Sequence, residues 1–212
     1  DENRTVSFSG MLRDRLALLG TVIVFMQLAG IGLAIWLVKH HKIHWCEAFG
    51  GLGDLAKSIA MPLLASILVL PAVLSLHFVS QMFLKTIGVS ESAQQAVQMV
   101  SQATHPLELA LQGISVIMLA PIAEELIFRG IIYNTTKQIT SRTAAVILSA
   151  VLFAAVHGQW ALVLPLMGLS VALAGVYERS GTIIAPILLH ASFNAVNFAL
   201  IRFADFAKHA GN

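Results

Sequence analysis

Six polar residues stand inside runs of sequence that are otherwise apolar. Glu124, Glu125 and Arg129 interrupt Ala120-Pro121-Ile122-Ala123-Glu124-Glu125-Leu126-Ile127-Phe128-Arg129-Gly130. His157 closes a second run, four residues after Phe153, and His190 and Asn194 fall inside a third. On a helix, residues four apart share a face, and Glu N-terminal to Arg at that spacing is the favourable order for an ion pair. Glu125 and Arg129 meet that rule, and His190 and Asn194 share a face in the same way. Glu124 lies ~100° around the helix from Glu125, so it can face elsewhere while its neighbour is occupied by Arg129. One carboxylate is then free for chemistry and the other is neutralised.

A carboxylate in a poorly solvated pocket can act as general base toward a water, and an imidazole can orient that water or share its proton. A second imidazole and an amide NH₂ can donate to a developing oxyanion. These parts suit peptide-bond hydrolysis without a covalent intermediate. Gly-x-Ser-x-Gly and His-Glu-x-x-His motifs are both absent, and the single cysteine, Cys46, lies far from the set in sequence. One cysteine also excludes an intrachain disulfide and any C-x-x-C metal or redox motif. Two His and a Glu could ligate Zn²⁺, but Asn is a poor zinc ligand. No cofactor is therefore favoured, with zinc as the reserve.

The elements that carry these residues must be membrane spans. Hydrophobic residues make up 57% of the 212 positions and charged residues 11%, against roughly 25% charged in soluble domains; mean hydropathy is +0.80. About 20 apolar residues cross the hydrocarbon core, and the sequence offers six candidates. They are Leu16–Val38, Ile59–Leu84 with Pro62 and Pro71 as bend points, Leu107–Tyr133, a short Thr143–His157, Ala161–Tyr177 and Thr182–Phe203. Breaks fall at His157-Gly158-Gln159 and Glu178-Arg179-Ser180-Gly181, where turn residues cluster. The expected fold is all-α: a polytopic transmembrane helical bundle of about six spans with a membrane-embedded polar cavity. It forms a single domain over 1–212, whose motif-bearing core is 107–203.

Counted inward from the 134–142 and 178–182 side, Glu124 lies ~15 Å deep, His190 ~12 Å, Asn194 ~18 Å and His157 ~21 Å. Three helices thus bring their polar residues to one slab, and ionisable groups at that depth are functional by default. The segment Ser90–Ser101 reads as a short interfacial helix, with Ser92-x-x-Gln95 resembling a capping box. Twelve Lys and Arg besides Arg129 divide six and six between the two sides, so the positive-inside rule gives no orientation. A formal charge of +2 without a dense basic run points away from nucleic acid. The chain begins at Asp1, which suggests processing or trimming, and nothing at its start reads as a signal peptide.

Glu124-Glu125-x-x-x-Arg129, Phe153-x-x-x-His157 and His190-x-x-x-Asn194 resemble, in order, the three motifs of the CAAX-protease and bacteriocin-processing family, which includes the type II CAAX prenyl endopeptidases. The resemblance covers roughly residues 107–203. It implies an intramembrane peptidase with a cavity open to one aqueous face. Glu124 and His157 would activate water, His190 and Asn194 would form the oxyanion hole, and Glu125 and Arg129 would support them. It further implies a peptide or protein substrate met at the lipid bilayer, and a multi-pass protein of the bacterial cytoplasmic membrane. The compact spacing resembles bacterial members, whose substrates would be leader peptides, pheromones or other membrane-proximal peptides.

Blander readings stand beside these. Glu125–Arg129 is expected as a structural ion pair, His190–Asn194 alone could be helix-packing glue, and Phe153 is expected to pack. His40, His41 and His44, beside Lys39 and Lys42, read as a solvated interfacial belt rather than a metal cluster. The rival function is a non-catalytic membrane scaffold, immunity or regulatory protein that binds a partner through the same cavity. A small transporter would show an inverted repeat or paired broken helices, and neither is evident.

Overall fold

The computed structural model describes residues 2–89, 100 and 106–210, with side chains described between residues 20 and 207 of these. The interfacial helix expected over Ser90–Ser101 lies outside the described residues apart from Val100. The described elements are all helical: α1 (Glu2–His40), α2 (Trp45–Phe49), α3 (Ala56–Thr86), α4 (Pro106–Ile139), α5 (Arg142–Ala155), α6 (Trp160–Ser180) and α7 (Ile184–Ala210). The chain is an all-α polytopic bundle. Among the described residues, α1, α3, α4, α6 and α7 each hold a stretch long and apolar enough to cross a membrane.

The fourth expected span differs. At 14 residues, α5 reaches only ~21 Å, short of a roughly 30 Å core. Local chemistry fixes both its ends. Ser141 caps the start, its Oγ accepting from the Ala144 N–H at 3.2 Å. At the far end the chain turns through Gly158 at φ +65°, a conformation that glycine adopts without steric cost. α5 and α6 therefore form an antiparallel hairpin whose turn is His157–Gln159. Its open end is tied by Glu178, which takes Lys137 Nζ at 2.6 Å and Arg142 Nε at 3.3 Å.

Two cores hold the bundle. Val73 of α3 packs with Leu169, Leu173 and Val176 of α6 and Ala185 and Leu189 of α7. Ala34 of α1, Phe49 of α2 and Leu126 of α4 meet Ile183. Phe49 comes so close to α4 that a Cβ on Gly130 would stand 2.5 Å from its ring. Gln27, a polar interruption of the first span, accepts a 3.0 Å hydrogen bond from Ser115 Oγ on α4, the usual way a polar side chain is satisfied between spans. Large apolar side chains such as Phe25, Leu64, Ile67, Leu68 and Phe78 point outward. So much exposed apolar surface would be an association hazard in water; against acyl chains it is the lipid-facing surface.

α3 and α4 share a backbone device. In each, a π turn ends two residues before a proline: Ala56–Ala60 before Pro62, and Ser115–Leu119 before Pro121. A proline within a helix lacks an N–H and clashes with the carbonyl four residues back. Widening the preceding turn to i→i−5 relieves that crowding, and such turns are frequent at functional sites. In α4 the widened turn ends about one helical turn before the Glu124-Glu125 pair.

Candidate active site

Glu125 is the hub of the polar set. Its Oε1 accepts from Arg129 Nη1 at 3.0 Å and from His190 Nδ1 at 2.9 Å. Glu125 and Arg129 are 0% exposed and His190 is 4% exposed. The spacing-based ion pair is present, but the carboxylate also reaches across to α7. The second Arg129 nitrogen, Nη2, donates to the Ser170 carbonyl at 3.0 Å and to the Ser170 hydroxyl at 2.8 Å. Nothing in the sequence marks Ser170, because a lone serine in an apolar helix is common and carries no spacing signal.

Glu124, set ~100° around the helix from Glu125, nevertheless reaches the same histidine. The two carboxylates flank one imidazole. Glu125 takes Nδ1, while Glu124 Oε2 stands 3.7 Å from Nε2. Residues adjacent in sequence thus meet the same α7 ring at its two nitrogens. Unlike Glu125, the Glu124 side chain is 29% exposed, so it alone of the two keeps an open side. Its Oε2 is nevertheless buried and makes no hydrogen bond to another described side chain or backbone group.

The tautomers follow from the acceptors. A carboxylate paired with Arg129 can only accept, so His190 carries its proton on Nδ1, and Nε2 is the nitrogen presented to Glu124. His157 Nδ1 likewise donates to the Phe153 carbonyl at 2.7 Å, which leaves its Nε2 available to a water or substrate proton. When His190 carries both ring protons, Arg129, Glu125, His190 and Glu124 sum to zero charge, the arrangement a low-dielectric site tolerates best.

Phe153 organises the histidines. It is fully buried, and its ring centroid lies 5.0 Å from His157, 5.8 Å from His190 and 5.0 Å from Phe128. The Arg129 guanidinium sits 5.1 Å over the same ring. Phe153 therefore packs, as expected, but it packs against the residues of all three motifs. His157, at the end of α5, joins the set through this ring.

Asn194 has an engagement that the sequence does not reveal. In the π turn, the Ala120 N–H bonds to the Ser115 carbonyl. The next donor in that register is residue 121, a proline without an N–H. The Val116 carbonyl thus lacks its helical donor, and Asn194 Nδ2 supplies one at 2.8 Å. An amide NH₂ has two hydrogens, so one remains for a ligand.

Among the described residues, no three His, Cys, Asp or Glu side chains gather as a metal-ion set. The Nδ1 atoms of both motif histidines are committed to oxygen acceptors. With Nδ1 so held, each histidine presents its Nε2 to the site. Cys46 is exposed on α2.

No solved structure matches the chain. The UPF0177 protein YxdF of Lactococcus lactis subsp. lactis (strain IL1403) is 34% identical over 90 residues, which is 42% of this chain and 49% of that protein. The matched segment thus spans about half the length of this relative. Residues 106–196 match the family model described as type II CAAX prenyl endopeptidase Rce1-like, a segment that holds every residue of the three motifs. Residues 106–196, which lie on α4 to α7 and carry the polar set, are thus similar to the type II CAAX prenyl endopeptidase Rce1-like family, as the three motifs resemble.

Proposed function

We propose that the protein is an intramembrane endopeptidase that hydrolyses a peptide bond near the membrane with a water activated by Glu124. The observation that carries this reading is the inequality of the adjacent glutamates. Glu125 is buried and bound to both Arg129 and His190, while Glu124 is partly open and its Oε2 stands beside His190 Nε2. In the proposed reaction Glu124 takes a proton from water, with the free Nε2 of His157 as a second acceptor, and the resulting hydroxide attacks the scissile carbonyl. The developing oxyanion is met by the second Asn194 N–H and by His190 Nε2–H when that ring carries both protons. Collapse of the tetrahedral intermediate breaks the C–N bond, and the proton held by Glu124 passes to the leaving amine. Fixed donors in a dry site are typically worth several kcal/mol of barrier. The scheme needs no metal.

The Rce1-like match supports a peptide or protein substrate presented at the bilayer. The lactococcal relative supports a bacterial cytoplasmic membrane as its location. The test is a proteomic comparison of cells carrying the native chain with cells carrying Glu124→Gln. A peptide or protein terminus that stays uncut only with Glu124→Gln is the expected result. Identical processing with both chains would overturn the reading in favour of a non-catalytic scaffold.

A further inference from the structure

We propose that Ser170, on α6 and outside all three motifs, is a positioning residue: through Arg129 and Glu125 it sets which nitrogen of His190 carries the proton and where the other points. The proposal rests on the hydrolytic reading for its consequence, but its observations are separate. Ser170 is 1% exposed and offers two acceptors, carbonyl and hydroxyl, to one guanidinium nitrogen at 3.0 and 2.8 Å. The guanidinium is a rigid planar fork, so fixing Nη2 from α6 fixes the direction of Nη1. Nη1 ends on Glu125 Oε1, and that same oxygen receives His190 Nδ1. A shift of the guanidinium is therefore passed to the oxygen that holds the histidine's proton.

The anchoring helix is itself held. Leu169 and Leu173, on either side of Ser170, are buried against Val73 of α3 and Leu189 of α7. Ser170 thus refers the position of His190 to a part of the core that carries no motif. Residues of this kind, hydrogen-bonded behind a working imidazole, fix its tautomer and orientation. Ser170→Ala keeps the backbone carbonyl and removes the hydroxyl, so the chain of bonds is loosened rather than cut.

The experiment is ring ¹⁵N NMR of histidine-labelled protein in lipid nanodiscs, with His190 assigned by its loss in His190→Gln. The native protein is expected to show His190 protonated on Nδ1. In Ser170→Ala the Nε2–H tautomer should rise at least about threefold, since a bond to a charged donor has been lost, and Ser170→Thr should restore the native ratio. A Ser170 that only supports packing would lower Tm and leave the tautomer unchanged, and that result would overturn the proposal. A native His190 protonated on Nε2 alone would overturn it as well. Should Ser170→Ala fail to fold, Ser170→Cys, whose sulfur is a weak acceptor, takes its place with the same two outcomes. Because the readout needs no substrate, a protein that cleaves nothing yet shows the tautomer change retains this linkage and loses only the hydrolytic reading.

Discussion

Replacing Glu125 by glutamine tests how the charge inside the bundle is balanced. The substitution keeps an oxygen acceptor and the side-chain volume but removes the negative charge facing Arg129. Arg129 is fully buried, and its ion pair with Glu125 is 3.0 Å long. Breaking a buried pair from one side costs about 3–5 kcal/mol, because the partner is left uncompensated. Two bonds converge on the lost oxyanion, from Arg129 and His190, and a bond to a charged group is worth about 1.5–3 kcal/mol; the two figures overlap and are not summed. Glu125→Gln should therefore destabilise the folded protein by roughly 3–5 kcal/mol. The double variant Glu125→Gln/Arg129→Met carries no unpaired charge and should recover part of that loss. Reversible unfolding in detergent of both single variants, the double variant and the native chain closes the cycle. Native-like stability of Glu125→Gln, or a double variant no better than the worse single one, would refute this balance.

Three further outcomes follow from particular contacts. Asn194→Asp replaces the amide donor to the Val116 carbonyl with an acceptor, and should lower stability by about 1–3 kcal/mol, measured by the same unfolding assay; an unchanged midpoint would contradict the link to Pro121. Gly130→Ala places a methyl 2.5 Å from the Phe49 ring and should cost about 1–3 kcal/mol, relieved by adding Phe49→Leu; no relief in the double variant would mean that the two do not press on each other. EDTA or phenanthroline should leave peptide cleavage unchanged, whereas loss restored by stoichiometric Zn²⁺ would assign the site to a metal.

The sequence carries the local part of this arrangement and misses the rest. Glu125–Arg129 is an i,i+4 contact, so helix geometry alone predicts it, and the apolar run lengths predict the spans. The contact between Glu125 and His190 joins residues 65 apart, and that between Arg129 and Ser170 joins residues 41 apart. No periodicity encodes contacts at that range. Glu124 shows the limit of local geometry: a helical wheel separates it from Glu125 but does not reveal that both carboxylates reach one α7 imidazole. The Asn194–Val116 bond was hidden for another reason. It depends on the π register before Pro121, and a proline in a helical pattern announces a disturbance without saying which carbonyl is released. The apolar run of α5 reads on toward His157, whereas the helix ends at Ala155 because the turn through Gly158 breaks it first.

The central claim is that Glu124, and not its neighbour, is the base. Its direct test uses the peptide that stays uncut in Glu124→Gln cells, presented to purified native and Glu124→Gln protein in nanodiscs, with binding and single-turnover cleavage both measured. Glu124→Gln preserves shape and removes the base, so cleavage should fall roughly 10²–10⁴-fold while binding affinity stays native. Cleavage by Glu124→Gln at the native rate would contradict the assignment.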